Sequence, residues 1–115
     1  MDLVDQVYQV TRSFPGEERY GLAGQLQRAA VSVPANTAEG HATGYTKQYM
    51  RHLSVALGSL AEVETLLVIG QRRSYIGKAK LQALLELASE VGRMLRGIQK
   101  SLKRKIKPKP LTPSP

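Results

Sequence analysis

Apolar residues recur at intervals of three and four along most of the chain, as they do on helices that bury one face. Four such segments can be distinguished, over residues 2–13, 17–40, 45–71 and 78–105. Proline, glycine and polar residues separate them, and no stretch alternates between apolar and polar positions as a half-buried strand does. The pattern predicts an all-α protein, an antiparallel up-down four-helix bundle over residues 1–105, followed by a flexible, disordered Lys/Pro-rich tail over residues 106–115.

The second segment contains a proline in a run of small residues. Pro34 removes one helical hydrogen bond, and the residues after it still favour helix, so we expect a kinked second helix. Glu17 and Glu18 suit the first turn of this helix, because carboxylates are favoured at a helix N-terminus. Gly40 is a suitable C-terminal stop before a polar loop over residues 41–44.

The third segment has an unusually wide apolar face. One stripe comprises Tyr45, Tyr49, Leu53, Ala56, Leu60, Val63 and Leu67, and a second, about 90° further round, comprises Met50, Leu57, Ala61 and Val68. A face of this width suits two neighbouring helices, and it also suggests a surface for self-association through Met50, Leu57 and Val68. The fourth segment buries a single stripe, consisting of Leu84, Ala88, Val91, Leu95, Ile98 and Leu102.

Composition narrows the function classes. The 115 residues suffice for one domain, and the absence of cysteine excludes disulfides, thiolate zinc sites and a cysteine nucleophile. No metal-binding motif, catalytic triad, phosphate loop or acid–base pair is found, so we expect no metal, no cofactor and no enzymatic activity. The acidic N-terminus and the absence of an uncharged span of about 20 apolar residues indicate a cytoplasmic protein without membrane association.

The net charge of +8 is concentrated at one end of the chain. Residues 1–90 carry nine basic and nine acidic side chains, whereas residues 91–115 carry eight basic side chains and no acid. Such asymmetry favours a polyanionic partner, RNA or DNA. The predicted nucleic-acid-binding residues are Arg72, Arg73, Arg93, Arg96, Lys100, Lys103, Arg104, Lys105, Lys107 and Lys109. A solubilising role, or a basic surface for an acidic protein partner, stays open.

Two further groups of residues have alternative explanations. Tyr45, Tyr49 and Tyr75 are able to stack on bases, but the first two also fit the core stripe, and we interpret them as packing residues. In the second segment, Arg28, Asn36 and Glu39 would form a polar cluster at a subunit junction or ligand site. The alternative is architectural, because alanines and Pro34 let helices approach closely at a set angle.

Three stretches carry a family resemblance: FPGEERYGL at 14–22, QRAAVSVPANTAEG at 27–40 and LSVALGSLAEVE at 53–64. Together they resemble the bacterial 23S rRNA intervening-sequence protein family, also called S23, over about residues 2–100. The resemblance implies a four-helix bundle that assembles as a ring, usually a homopentamer, often encoded within inserts of the large ribosomal RNA gene. Related bundles are accessory proteins of diversity-generating retroelements, which implies a reverse transcriptase as a possible protein partner. Residues 41–47 have fewer basic side chains than the family pattern, which shifts the expected nucleic-acid contact toward the C-terminus.

Overall fold

The structure, a computed structural model, describes residues 1–106, and within that range it contains four α-helices and no strand. The elements are α1 (Asp2–Thr11), a 3-10 helix (Gly16–Glu18), α2 (Leu22–Ala42), α3 (Thr46–Arg72) and α4 (Lys78–Ile106). The all-α prediction is confirmed. Apart from Ile106, which ends α4, the predicted tail lies outside the described residues.

Each helix packs against two others: α1 and α3 both contact α2 and α4. The apolar residues predicted from the helical period form one continuous core between them. Its most deeply buried large side chains are Leu3, Val7, Leu26, Val33, Leu53, Val63, Leu67 and Leu84. The third segment has a wide apolar face because α3 contacts two neighbours within the same chain.

The start of α2 differs from the prediction. Glu17 and Glu18 lie in the separate 3-10 helix, and α2 begins at Leu22. The Glu18 carboxylate nevertheless acts on α2 from outside, because its Oε1 accepts a hydrogen bond from the Leu22 N–H at 3.1 Å. Its Oε2 accepts a second one from the Tyr75 hydroxyl at 3.0 Å. Both bonds favour the ionised form, so they lower the pKa of Glu18, with a smaller contribution from the nearby Arg73 charge.

Gly40 is not the C-terminal stop of α2, which continues to Ala42. Gly40 is buried against α3, where a Cβ added to it would lie 2.6 Å from the Cβ of His52. The glycine is therefore required because the two helices approach closely here, and not because the chain turns. The turn is made by Gly44, whose φ of +74° falls in the left-handed region.

The first stripe of α3 extends less far than predicted. Tyr45 precedes the helix as its N-cap residue and is 73% exposed, so its assignment to the core was wrong. Tyr49 is half-buried against the core, as expected of a packing residue. In the second stripe, Ala61 is exposed.

The helices differ greatly in length, and this divides the molecule into two halves. α1 has 10 residues, whereas α4 has 29. Met1, just before α1, lies level with Val33 to Thr37 on α2 and with Val91 and Met94 on α4. We call residues 1–32 and 58–90, where α1 completes the core, the closed half. Residues 33–57 and 91–106, where only α2, α3 and α4 remain, form the open half.

Candidate nucleic-acid interface

The predicted cations of α4 are exposed and lie mainly on one side of the helix. Leu84, Ala88, Leu95 and Leu102 are buried at helical spacing on the opposite side. At 100° per residue, five of the cations fall within an arc of about 100°, and we call these five the basic stripe: Arg93, Arg96, Lys100, Lys103 and Arg104. Lys105 lies about 100° away from Arg104 and lines a cleft with Tyr45 and His41 instead.

Part of the basic stripe borders a shallow cleft between α3 and α4. Arg96, Lys100 and Lys103 line this cleft together with Gln99 and Met50. The Gln99 amide donates to the Ser54 hydroxyl at 3.3 Å and so ties the two helices together beside the cations. Three positive charges at one surface, with an uncharged floor, give this cleft a positive electrostatic potential.

The two halves of the molecule differ sharply in charge. The open half has eight basic side chains and one acidic side chain, Glu39, whereas the closed half has seven basic and eight acidic side chains. The basic excess therefore extends beyond α4, since Lys47 and Arg51 at the start of α3 belong to the same half and are exposed. Cations near the C-terminus also stabilise α4 by interacting with its dipole, which is a structural role for the same residues.

Arg72 and Arg73 are not brought together with the basic stripe. They lie at the turn between α3 and α4, and at 1.5 Å per residue Lys103 is roughly 40 Å further along α4 from its start. Arg73 is also engaged locally, with its guanidinium carbon 6.0 Å from the centre of the Tyr75 ring. Lys107 and Lys109 lie outside the described residues.

The polar residues of α2 form a different cluster from the one predicted. Asn36 donates to the Ser32 carbonyl at 3.0 Å, and its side-chain oxygen lies 3.2 Å from Nδ1 of His52. Ser32 and Ser59 join across the helices through their hydroxyls at 2.7 Å. This network ties α2 to α3 inside the subunit.

Arg28 and Glu39 do not take part in that network. Arg28 is exposed and lines a polar cleft beside the network, with Ser32, Ser59 and Glu62, while Glu39 is exposed near the end of α2. The predicted grouping of Arg28, Asn36 and Glu39 is therefore not found among the described residues. Sequence reasoning missed the contact between α2 and α3, since neither Ser59 nor His52 is near α2 along the chain.

An apolar groove runs along the open half, beyond the N-terminal end of α1. It has a volume of about 530 Å³, and its lining residues are Met1, Val33, Pro34, Thr37, Ala38, His41, Tyr49, Val91, Met94, Leu95 and Ile98. Met94 is 69% exposed at its edge. The three residues predicted for self-association lie elsewhere, on α3: Met50, Leu57 and Val68 are all half-buried, and the first two pack against the core.

Two general features of the described residues bear on other functions. Across residues 1–106, no three His, Asp or Glu side chains are close enough together to hold a metal ion. One helix, α3, is long and apolar enough to cross a membrane by length and composition, with a mean hydropathy of 1.6 over 18 residues. A single such helix is weak evidence for a membrane span, because the core helix of a soluble bundle passes the same test.

Comparison with known proteins now gives the chain its family. A search of curated proteins found no match to it. The family model described as 23S rRNA-intervening sequence protein, in contrast, matches residues 1–97, which include α1, α2, α3 and most of α4. The match covers the three stretches that carry the sequence resemblance. The chain belongs to the 23S rRNA-intervening sequence protein family.

Proposed function

We propose that this protein is a non-enzymatic, cytoplasmic, oligomeric bundle that associates with RNA or DNA through the open half. The observation that carries the proposal is the charge difference between the halves, eight basic side chains to one acidic in the open half against seven to eight in the closed half. Binding of this kind depends on phosphates and therefore has little base specificity. The family name, which refers to ribosomal RNA, agrees with a nucleic-acid partner.

The finer architecture belongs to the same proposal. We infer antiparallel neighbours in up-down order. Ser32 pairs with Ser59 and Asn36 pairs with His52, so residue numbers increase along α2 while those of their partners decrease along α3.

We also infer a bend in α2 at Pro34, which has no N–H to donate to the carbonyl four residues earlier.

Self-association is proposed on two grounds. The family resemblance implies a ring, usually of five subunits, and the open groove with Met94 at its edge is an apolar surface that a second subunit could cover. A ring would repeat the basic stripe around its circumference, so several weak phosphate contacts would act together on one nucleic-acid molecule.

Two triple variants with the same net charge test the nucleic-acid proposal. Arg96→Gln, Lys100→Gln and Lys103→Gln together neutralise the cleft between α3 and α4. Arg12→Gln, Arg19→Gln and Lys78→Gln neutralise three exposed cations of the closed half, none of them among the predicted nucleic-acid-binding residues. Substitution is a better probe than shortening α4, because Leu102 is buried and its loss would disturb the core.

The measurement is an RNA and DNA gel shift at two or more salt concentrations, with the oligomeric state checked by sedimentation. We expect the cleft variant to lose about tenfold or more in affinity and about two to three units of salt slope, since each lost phosphate contact removes about 0.7–0.9. The control variant should stay within about threefold of the wild type. Equal losses in both variants would mean that net charge alone matters, and absence of any wild-type shift at low salt would refute the proposal.

A second candidate function is a protein-binding scaffold, such as an accessory subunit of a reverse transcriptase. The open groove favours it, because an apolar helix of a partner could lie along α2 and α4 where α1 is missing. This alternative gains support if the wild-type protein does not bind nucleic acid but binds a protein encoded by a neighbouring gene.

A further inference from the structure

Tyr45 has its backbone fixed while its ring lies in solvent. Its N–H donates to the Thr43 hydroxyl oxygen at 3.2 Å, and that hydroxyl donates to the Gly40 carbonyl at 2.8 Å. Gly44, with φ of +74°, sets the turn between them, and the Tyr45 carbonyl accepts the first hydrogen bond of α3, from Tyr49. Tyr45, which is 73% exposed, thus projects from a hydrogen-bonded turn, so little backbone freedom is lost when a ligand contacts it.

The surroundings of this ring are basic. Tyr45 lines a cleft with His41, Thr46 and Lys105, so the end of α4 lies beside the loop that precedes α3. Lys47 is the exposed second residue of α3, and Arg104 ends the basic stripe next to Lys105. The only acid of the open half is Glu39, on α2.

An exposed aromatic ring among cations is the arrangement that proteins use to bind single-stranded nucleic acid. Bases stack on the ring without sequence preference, while lysine and arginine neutralise the neighbouring phosphates. In the interior of a duplex both faces of each base are already stacked on adjacent base pairs, so an unpaired base is the better partner for the tyrosine ring.

We propose that Tyr45 stacks on an unpaired base of a single-stranded RNA or DNA segment whose adjacent phosphate is held by Lys105. This inference rests on the proposed function, because it assigns a strand type and one stacking residue to the same basic end of the molecule. The remainder of the strand would continue from Lys105 onto Arg104 and the basic stripe.

Tyr20 supplies a matched control. It is 84% exposed, more than Tyr45, but it lies in the closed half with Glu17 and Glu18 nearby along the chain. The guanidinium of Arg19 also covers its ring, at 5.6 Å from the centroid. If exposure alone made a tyrosine a stacking residue, Tyr20 would serve better than Tyr45.

The experiment measures fluorescence anisotropy of a labelled single strand, and of the same strand paired in a duplex, with full-length protein at low salt. The variants are Tyr45→Ser, Tyr45→Phe and Tyr20→Ser. Serine is a favoured N-cap residue, so Tyr45→Ser should leave α3 folded, and circular dichroism would check this.

Tyr45→Ser should weaken single-strand binding by about tenfold and leave duplex binding within about twofold. Tyr45→Phe, which keeps an aromatic ring, should bind the single strand as the wild type does, and Tyr20→Ser should change neither. Unchanged single-strand binding in Tyr45→Ser, or equal loss on the duplex, would overturn the stacking proposal while leaving the proposed function intact. Absence of salt-sensitive binding by the wild type to either form would instead overturn both.

Discussion

The closed and open halves are built from the same three long helices, yet they differ in almost every other property. In the closed half, α1 covers the junction of α2 and α4, and three of its apolar side chains, Leu3, Val7 and Val10, are buried. In the open half that junction is an uncovered apolar groove. The acidic side chains are concentrated in the closed half, and the excess of basic side chains lies in the open half.

The comparison shows how one small domain can separate stability from surface chemistry. A helical bundle needs a core that is covered on all sides. The ten residues of α1 cover the core along only part of the length of α2 and α4. Beyond α1 the same helices carry like charges that repel one another and apolar side chains that stay in water. Such features are tolerated because the closed half holds the helices together, and they are useful only if a partner covers them.

The largest expected effect concerns the cover that α1 provides. Leu3→Ala should reduce the free energy of unfolding by about 2–5 kcal/mol, because it leaves a cavity at a fully buried position. Met94→Ala, at the edge of the open groove, should change it by less than about 0.5 kcal/mol in the isolated subunit.

Urea denaturation followed by circular dichroism compares the two variants at a protein concentration at which sedimentation shows a single subunit. If Met94→Ala proved as destabilising as Leu3→Ala there, Met94 would be packed within the subunit and the distinction between the halves would be wrong.

A smaller effect is expected where α2 and α3 meet in the open half. Gly40→Ala places a Cβ against the His52 Cβ, so the helices must separate, and we expect a loss of about 1–3 kcal/mol. Gly58→Ala is the control, since it adds a methyl group to an exposed position of α3 with nothing within 4 Å. It should be neutral or stabilise by up to about 1 kcal/mol, because alanine favours helix over glycine. Thermal unfolding would distinguish them, and equal melting temperatures would show that the open half tolerates looser packing.

The smallest effect is a pH dependence located in the closed half. The folded state lowers the pKa of Glu18, so the stabilisation is present above the unfolded pKa and is lost as the pH falls through the folded one. Glu18→Gln should therefore lower the melting temperature slightly at neutral pH, and the difference from the wild type should disappear as the pH falls through the lowered pKa of Glu18. Glu17→Gln, at the adjacent exposed residue, is the control for the loss of one carboxylate from this segment. A constant difference between Glu18→Gln and the wild type at all pH values would mean that ionisation is not involved.

Helical periodicity predicted most of the core, because burial of Leu26, Leu53 or Leu84 follows from position on a single helix. It failed at Gly40 and at Tyr45 for related reasons. A glycine near the end of a helical segment is equally compatible with a C-cap and with a close approach of two helices. Only the position of His52 on α3 decides between these explanations. Tyr45 continues the apolar stripe by one turn, but no neighbouring helix covers it there.

The sequence predicted which basic residues of α4 are exposed, but it did not predict which residues from other elements lie beside them. The cations of α4 follow from the charge count, and their exposure follows from the buried stripe opposite. That Lys105 leaves the basic stripe to join Tyr45, whereas Arg72 and Arg73 lie at the distant turn, depends on how helices far apart in sequence align. The alignment of α2 with α3 also brings Ser32 and Ser59 within hydrogen-bond distance, and no local sequence pattern predicts this contact.

The brevity of α1 also determines how the native amides should exchange with solvent. Ten residues are too few for a stable isolated helix, so α1 is ordered only while it is docked on α2 and α4. Its amides should exchange before those of the longer helices, in a sub-global opening that leaves α2, α3 and α4 associated. Each such opening would extend the apolar groove toward the closed half, so a partner that extends from the groove into the surface vacated by α1 would compete with α1 and speed the exchange of its amides.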